Sequence, residues 1–437
     1  MSSMIDGKSS VHSAAVLLSG SAGELDWVLP ILDSLLKKGF NLKIIFLTRH
    51  SRSSVQKNRM LNDFISQENS QLQTHMCGGY FFEKVEHFSY FIHRASIKFN
   101  FTKKPIVRNI YNFLSKVLKK FYLNHLPSNV LLLKKKKCLF FSEFPKLRRP
   151  SDQWLRDEFR KAIFFYCPHS PHIYAENLDK NYSTSQYINY GKNYFLLLGH
   201  PADFSAINDG KELAADDLER VFLGHPKYSN NWLLELKEKS HTFRSSISSR
   251  NEVNILVLSR GIGGYLDSQS HLDLVDMTIE GVCNEIKNYN LLIKKHPREL
   301  NSHWDVAASS NPAIKIIDDH MMNIATSADF VISFWGSGAM DCYALGVPVI
   351  ELFDPNKHPK QQIFYNKEYT TIYRMLGIVL PANNMKELVR AISSLKNNNF
   401  LLPSHEPHPF FNELMSASNE WNTKIDKILV THNLINN

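Results

Sequence analysis

Two short segments in the second half of the chain carry residues whose types and spacing suit the handling of phosphate. Between Ala328 and Asp354 the chain reads ADFVISFWGSGAMDCYALGVPVIELFD. This predicts an apolar strand (Phe330 to Phe334), a Gly-Ser-Gly loop (Gly336, Ser337, Gly338), a short helix and a second buried strand (Val347 to Leu352). Glycines let the backbone approach a ligand closely, and the helix that follows offers free N–H groups and the positive end of its dipole. Upstream, LLIKKHPRE ends an apolar strand with Lys294, Lys295, His296, Pro297 and Arg298. That position is the carboxyl edge of a sheet, where open α/β folds bind ligands. Two anion-suited loops on neighbouring α/β units point to a nucleoside mono- or diphosphate.

The elements that must hold these loops are legible along the whole chain. An apolar strand, Ala14 to Leu18, breaks at Ser19-Gly20-Ser21-Ala22-Gly23, enters a helix, and is followed by a strand from Leu42 to Leu47. This is the start of a parallel sheet. Further strands are expected at Cys138 to Phe141, Ala162 to Cys167, Tyr194 to Leu198 and Arg220 to Leu223, with residues 50 to 135 read as an irregular basic insertion. The polar stretch Lys237 to Glu252 has no apolar face and is the expected linker. The alternation then restarts with strand Val253 to Leu258, a glycine loop from Arg260 to Gly264, a helix near Leu272 to Lys287, and strands at Leu291 to Lys295 and Ile314 to Ile317. Asp318, Asp319 and His320 stand where they can cap a helix near Met321 to Ser327. A helix near Met385 to Leu395 and a helical tail after Pro409 complete the pattern. The expectation is α/β: two Rossmann-like doubly wound domains facing across a cleft. The first spans 11–240 and the second, nucleotide-binding one spans 250–405, with a tail, 406–437, that returns to the first.

Bulk properties agree with this layout. A chain of 437 residues exceeds one ordinary core, and 43% hydrophobic with 21% charged residues is ordinary globular composition. Five scattered cysteines without a C-x-x-C pair argue against a disulfide framework or a zinc site. The polar start and the lack of a long apolar run lead to the expectation of a cytoplasmic protein. The formal charge of +9 is concentrated: twelve Lys or Arg fall between Arg94 and Lys137, and no Asp or Glu occurs between Glu86 and Glu143. Within this stretch Ile106, Ile110, Phe113, Leu114, Val117, Leu118 and Phe121 recur at helical spacing. A basic amphipathic helix of this kind suits an anionic membrane surface, peripheral at the inner face. Nucleic acid is disfavoured, because the aromatics lie on the apolar face and not among the cations.

The segment KKHPRE (Lys294 to Glu299) resembles the histidine-proline motif of bacterial sialyltransferases, Kdo transferases and teichoic-acid glycerophosphotransferases. SFWGSGAMDCYALGVPVIEL resembles their serine-rich loop and its helix, and VFLGHPKY (Val221 to Tyr228) resembles the element that closes the first domain in capsule and teichoic-acid transferases. The two-domain layout looks like the GT-B fold. The resemblance implies a metal-independent glycosyltransferase without a cofactor, using a nucleotide-sugar donor, with a CMP-linked acidic sugar favoured, and a glycan or lipid-linked acceptor of surface-polysaccharide assembly. A CDP-polyol glycerophosphotransferase, a UDP-HexNAc 2-epimerase and a non-catalytic membrane-associated scaffold are the alternatives.

Roles follow for single residues. His296, exposed at the strand end by Pro297, can hydrogen-bond a departing phosphate. Lys294 and Lys295 point to opposite faces, so at most one reaches the ligand, with Lys295 and Arg298 the candidates. Gly336, Ser337 and Gly338 bind phosphate, with Ser333 as a second hydroxyl. Arg260 can neutralise the leaving phosphate, and GIGG (Gly261 to Gly264) lacks the third glycine of a dinucleotide site. By analogy with GT-B enzymes, Glu351, Asp354 or Asp341 accepts from ribose hydroxyls. The base that deprotonates the acceptor is sought among Glu24, Asp26, His169 and His172. The chain has no D-x-D motif, and one Cys with two His in CPHSPH makes no adequate metal site.

Overall fold

The computed structural model describes residues 12–436 except 78, 99–104, 144–149, 169–172, 174, 179–187, 202, 204–217, 248–251, 264–265, 297–298, 300–301, 359–361 and 405. Seven strands form one sheet: β1 (Ser13–Leu18), β2 (Asn41–Phe46), β3 (Leu72–Met76), β4 (Cys138–Glu143), β5 (Ile163–Cys167), β6 (Tyr194–Leu198) and β7 (Leu218–Phe222). Every pairing is parallel and the order is β3-β2-β1-β4-β5-β6-β7. A second parallel sheet, β10-β9-β8-β11-β12-β15, contains β8 (Val253–Leu258), β9 (Tyr289–Lys294), β10 (Ile314–Ile316), β11 (Phe330–Ser333), β12 (Val349–Leu352) and β15 (Leu380–Ala382). A small antiparallel hairpin, β13 (Ile363–Tyr365) and β14 (Glu368–Thr370), lies between β12 and β15 in sequence.

The central strands read as unbroken apolar runs because helices cover both faces of each sheet. From Ala14 to Leu18 every residue of β1 is buried. Strand order reverses between β1 and β4 in the first sheet and between β8 and β11 in the second. At such a switch the neighbouring loops part and leave a crevice at the carboxyl edge.

The helices used below are α1 (Ala22–Lys37), α2 (Arg49–Gln56), α3 (Arg59–Ser66), α4 (Gly79–Lys98), α5 (Pro105–Asn124), α6 (Pro150–Glu158), α7 (Asn230–Ile247), α8 (Ser268–Glu285), α9 (His303–Ser310), α10 (Met321–Ala325), α11 (Gly338–Ala344), α12 (Met385–Asn397) and α13 (Pro409–Thr431). Two expectations are corrected here. The stretch Lys237 to Glu252 is not simply a linker, because α7 runs through it to Ile247, anchored by Leu233 and Leu236 at its apolar start. Residues 50 to 135 are not irregular: they hold α2, α3, an edge strand and the helical pair α4–α5.

Helix α13 joins both cores. Its first turns place Phe410, Phe411 and Leu414 in the core beneath the second sheet, and its later turns place Trp421, Ile425, Ile428 and Leu429 against the first. Between these, Ser418 packs on the chain as it leaves β7. Gly224 there has φ 68°, and a Cβ on it would lie 2.2 Å from the Ser418 backbone nitrogen, so only glycine fits the crossing.

Candidate active site at the facing sheet edges

The loop after β1 carries Glu24 in the first turn of α1. Its carboxylate folds back, accepting from the backbone N–H groups of Ser19 (2.8 Å) and Gly20. Gly20 permits this, since a Cβ would fall 2.4 Å from Glu24 Oε1. Glu143, at the end of β4 across the switch, has Oε2 3.8 Å from the same point. Glu24, Ser142, Glu143, Cys167 and Pro168 line one small cavity at this edge. Two carboxylates thus line the same cavity where the first sheet opens.

Two residues further along α1, about half a turn on, Asp26 faces the second domain. Its Oδ2 accepts from Lys227 Nζ at 2.8 Å, and its Oδ1 lies 2.7 Å from His320 Nε2. Lys227 also reaches Asp341 on α11 at 3.0 Å, and Tyr228 donates its hydroxyl to Asp341 at 2.6 Å. Burial by itself would raise the pKa of Asp26, but the charges and hydrogen bonds of Lys227 and His320 outweigh it and hold the carboxyl well below its ordinary value. Burial would lower Lys227, and its two carboxylates raise it instead. This network clamps the carboxyl edges of the two sheets against each other.

In the second domain Arg260, just beyond β8, stacks over Trp335 with its guanidinium carbon 4.9 Å from the ring centre. Trp335 has φ 65°, a strained conformation for a residue with a side chain, in the loop that leads to Gly336. A Cβ on Gly336 would meet no described atom within 4 Å, whereas one on Gly338 would lie 2.9 Å from Leu258 Cδ1. Gly336 borders open space, and Gly338 serves the packing of α11 on β8. Ser333 and Glu351 sit side by side in the register of β11 and β12, both buried. Ser333 Oγ and Glu351 Oε1 have no hydrogen-bond partner among the described residues. Glu351 Oε2 is held by Thr371 and by Arg374 Nε, each at 2.7 Å, while burial pushes its pKa up against the pull of Arg374.

His296 stands at the end of β9, its backbone N–H donating to Glu299 Oε2 at 3.2 Å. Glu299 is buried and also accepts from Ser259 and Ser302, with His271 Nε2 3.2 Å away. Burial would raise its pKa, but these hydrogen bonds lower it. Glu299 thereby ties the loop after β9 to the loop after β8.

No family model matches this chain, and neither does any curated protein. Among solved structures it is similar to the UDP-GlcNAc 2-epimerase of Methanocaldococcus jannaschii, at 14% identity and TM-score 0.52 over 95% of this chain and 99% of that one. The complex of the M. jannaschii enzyme with UDP-GlcNAc and UDP gives 13% identity and TM-score 0.52 over the same shares. A glycosyltransferase of Rickettsia africae gives 12% identity and TM-score 0.44 over 98% of this chain and 100% of that one. The likeness is one of architecture: two parallel α/β domains with carboxyl edges apposed. This is the GT-B fold.

The GT-B cleft gathers some of the sequence-derived candidates and redirects others. Arg260, His296, Ser333, Gly336, Ser337, Gly338 and Glu351 all lie at the carboxyl edge of the second sheet, and Glu24 at that of the first. Asp26 and Asp341 are both engaged by Lys227. The preference for Lys295 over Lys294 meets an obstacle, because Lys295 is paired with Asp305 of α9 at 2.8 Å. Lys294 lies 3.6 Å from Asp318, in the loop that precedes α10, and its burial lowers its pKa against the pull of Asp318. Asp354 is near Lys357 at the surface end of β12. His169, His172, Pro297 and Arg298 lie outside the described residues. Sequence reasoning gave no role to Glu143, Lys227 or Glu299, since their partners come from other elements. The sequence shows only that an acid stands three positions after His296; the burial that gives Glu299 its role comes from the fold.

Proposed function

We propose that this chain is an inverting, metal-independent transferase that moves a sugar from a nucleotide donor to a hydroxyl of a glycan or lipid-linked acceptor. The observation that carries the donor site is the pair Ser333 Oγ and Glu351 Oε1. Two unpartnered polar atoms buried side by side are costly unless a ligand completes them, and they lie next to the Arg260–Trp335 stack at a strand-order switch. Ribose hydroxyls donating to Glu351 and phosphate oxygens at Arg260 and the 336–338 loop would satisfy this arrangement. His296 hydrogen-bonds the departing phosphate. Glu24 is assigned as the base, because Asp26 is locked between Lys227 and His320 and its carboxyl, held well below its ordinary value, is a poor proton acceptor. In the step, the acceptor oxygen bonds to the anomeric carbon as the bond to phosphate breaks. The electron pair leaves with the nucleotide, and the acceptor proton passes to Glu24.

The histidine-proline segment favours a CMP-linked acidic sugar and a place in bacterial surface-polysaccharide assembly, in the cytoplasm. A second reading, a UDP-HexNAc 2-epimerase, is supported by the two epimerase structures with TM-score 0.52. Thermal stabilisation by CMP, CDP, UDP, GDP and ADP tests both. A ligand at 100 times its Kd adds about 2.7 kcal/mol. CMP as sole stabiliser supports the transferase as written, CDP a polyol-phosphate transferase, and UDP followed by conversion of UDP-HexNAc without acceptor the epimerase. No shift with any nucleotide overturns a donor site altogether.

A further inference from the structure

The α4–α5 pair carries an exposed surface that no part of the cleft uses. Phe82 packs on Tyr122 with ring centres 4.8 Å apart, and His93 Nδ1 lies 3.3 Å from the Tyr111 hydroxyl. These contacts define an antiparallel register in which Phe91 lies level with Phe113 and Arg94 with Ile110. The inner faces are occupied: Phe82, Val85 and Ser89 of α4 and Tyr122 and Leu123 of α5 are buried. On the outer faces several large apolar side chains are exposed. Phe88 (50% exposed), Phe91 (69%), Ile110 (55%), Phe113 (66%) and Val117 (50%) form a stripe along the hairpin. Helical spacing predicted one apolar face for α5; the fold divides it, turning its final turns into the core and leaving these residues outside.

Cations flank the stripe. Arg94, Arg108, Lys116 and Lys120 are exposed on the two helices. Among the described residues, Asp157 of α6 binds Lys119 at 2.9 Å, and Glu83 of α4 is turned toward α2, accepting from the backbone N–H of Arg49 at 2.8 Å. A second copy of the chain would bring the same positive field against itself. RNA would need aromatics set among the cations as a stacking platform, whereas here they form a contiguous apolar ridge. Large apolar side chains rimmed by positive charge match the interface of an anionic bilayer, with rings and branched chains entering the acyl boundary and cations meeting lipid phosphates.

We propose that the α4–α5 hairpin is a membrane-docking surface for anionic lipid, seating the protein on the bilayer by Phe88, Phe91, Ile110, Phe113 and Val117. This stands independently of the transferase reading, because its test needs no donor or turnover. The full chain is sedimented with vesicles of phosphatidylcholine alone and of phosphatidylcholine mixed with phosphatidylglycerol. Binding is expected only to the anionic vesicles, weakened by salt. Lys116→Gln/Lys120→Gln should weaken it about 25-fold, on the order of fivefold per cation, and Phe91→Ser/Phe113→Ser roughly tenfold or more. Both variants should keep the wild-type thermal midpoint; if the phenylalanine pair fails to fold, the lysine pair decides. No binding to anionic vesicles, or unchanged binding by the lysine pair, overturns the proposal. So does tighter binding of single-stranded RNA than of vesicles, or a dimer in size exclusion that the phenylalanine pair dissolves.

Discussion

Glu24 and Gly336 show how differently two residues of one cleft can fail. Glu24→Gln keeps the shape of a side chain that accepts two backbone N–H groups, but it removes the capacity to take a proton. Turnover should fall on the order of 10²–10⁴-fold while nucleotide stabilisation is unchanged, measured by kcat and by thermal shift. Gly336→Ala should leave the thermal midpoint near wild type, because nothing described lies near its added methyl, yet weaken nucleotide stabilisation. Gly338→Ala should do the reverse: about 1 kcal/mol of stability lost to the contact with Leu258, with donor binding preserved. The loop residues and His296 were legible because glycine spacing and a proline-terminated strand are local signals. Glu143, Lys227 and Glu299 were not. Each acquires its role from a partner many positions away, and a lone charged residue in sequence reads as surface.

At the scale of elements, Lys227 is the most consequential connection, since it lies between Asp26 of α1 and Asp341 of α11. Lys227→Ala removes the cation that Asp26 and Asp341 share, leaving His320 beside Asp26 and the Tyr228 hydroxyl on Asp341, and should cost about 3 kcal/mol, read as a lowered urea midpoint. Because the folded-state pKa of Asp26 lies below its ordinary value, the stability it contributes is complete above about pH 4 and is lost as the pH falls toward that lower value. The Asp26→Asn variant should therefore unfold with a shallower acid dependence below about pH 4 than the wild type. The strands of both sheets were readable as apolar runs for a physical reason: parallel strands are buried on both faces. The exceptions prove instructive. β3, LQTHM, is an edge strand with two exposed positions and gives no such run. α7 was read as linker because its apolar anchors lie in its first two turns and its remainder is polar.

Considered whole, the molecule is two domains completed by one helix. Removing residues 409–437 should bare apolar surface on both cores, and limited proteolysis should then digest the first domain far faster than in the intact chain. Helix α13 also sets an order of events during synthesis. Trp421, Ile425, Ile428 and Leu429 leave the ribosome about 200 residues after β7, which at ordinary elongation rates is roughly 10–40 s. The half of the protein made first is thus sealed last, and its unfinished flank must stay in solution while the whole second domain is being translated.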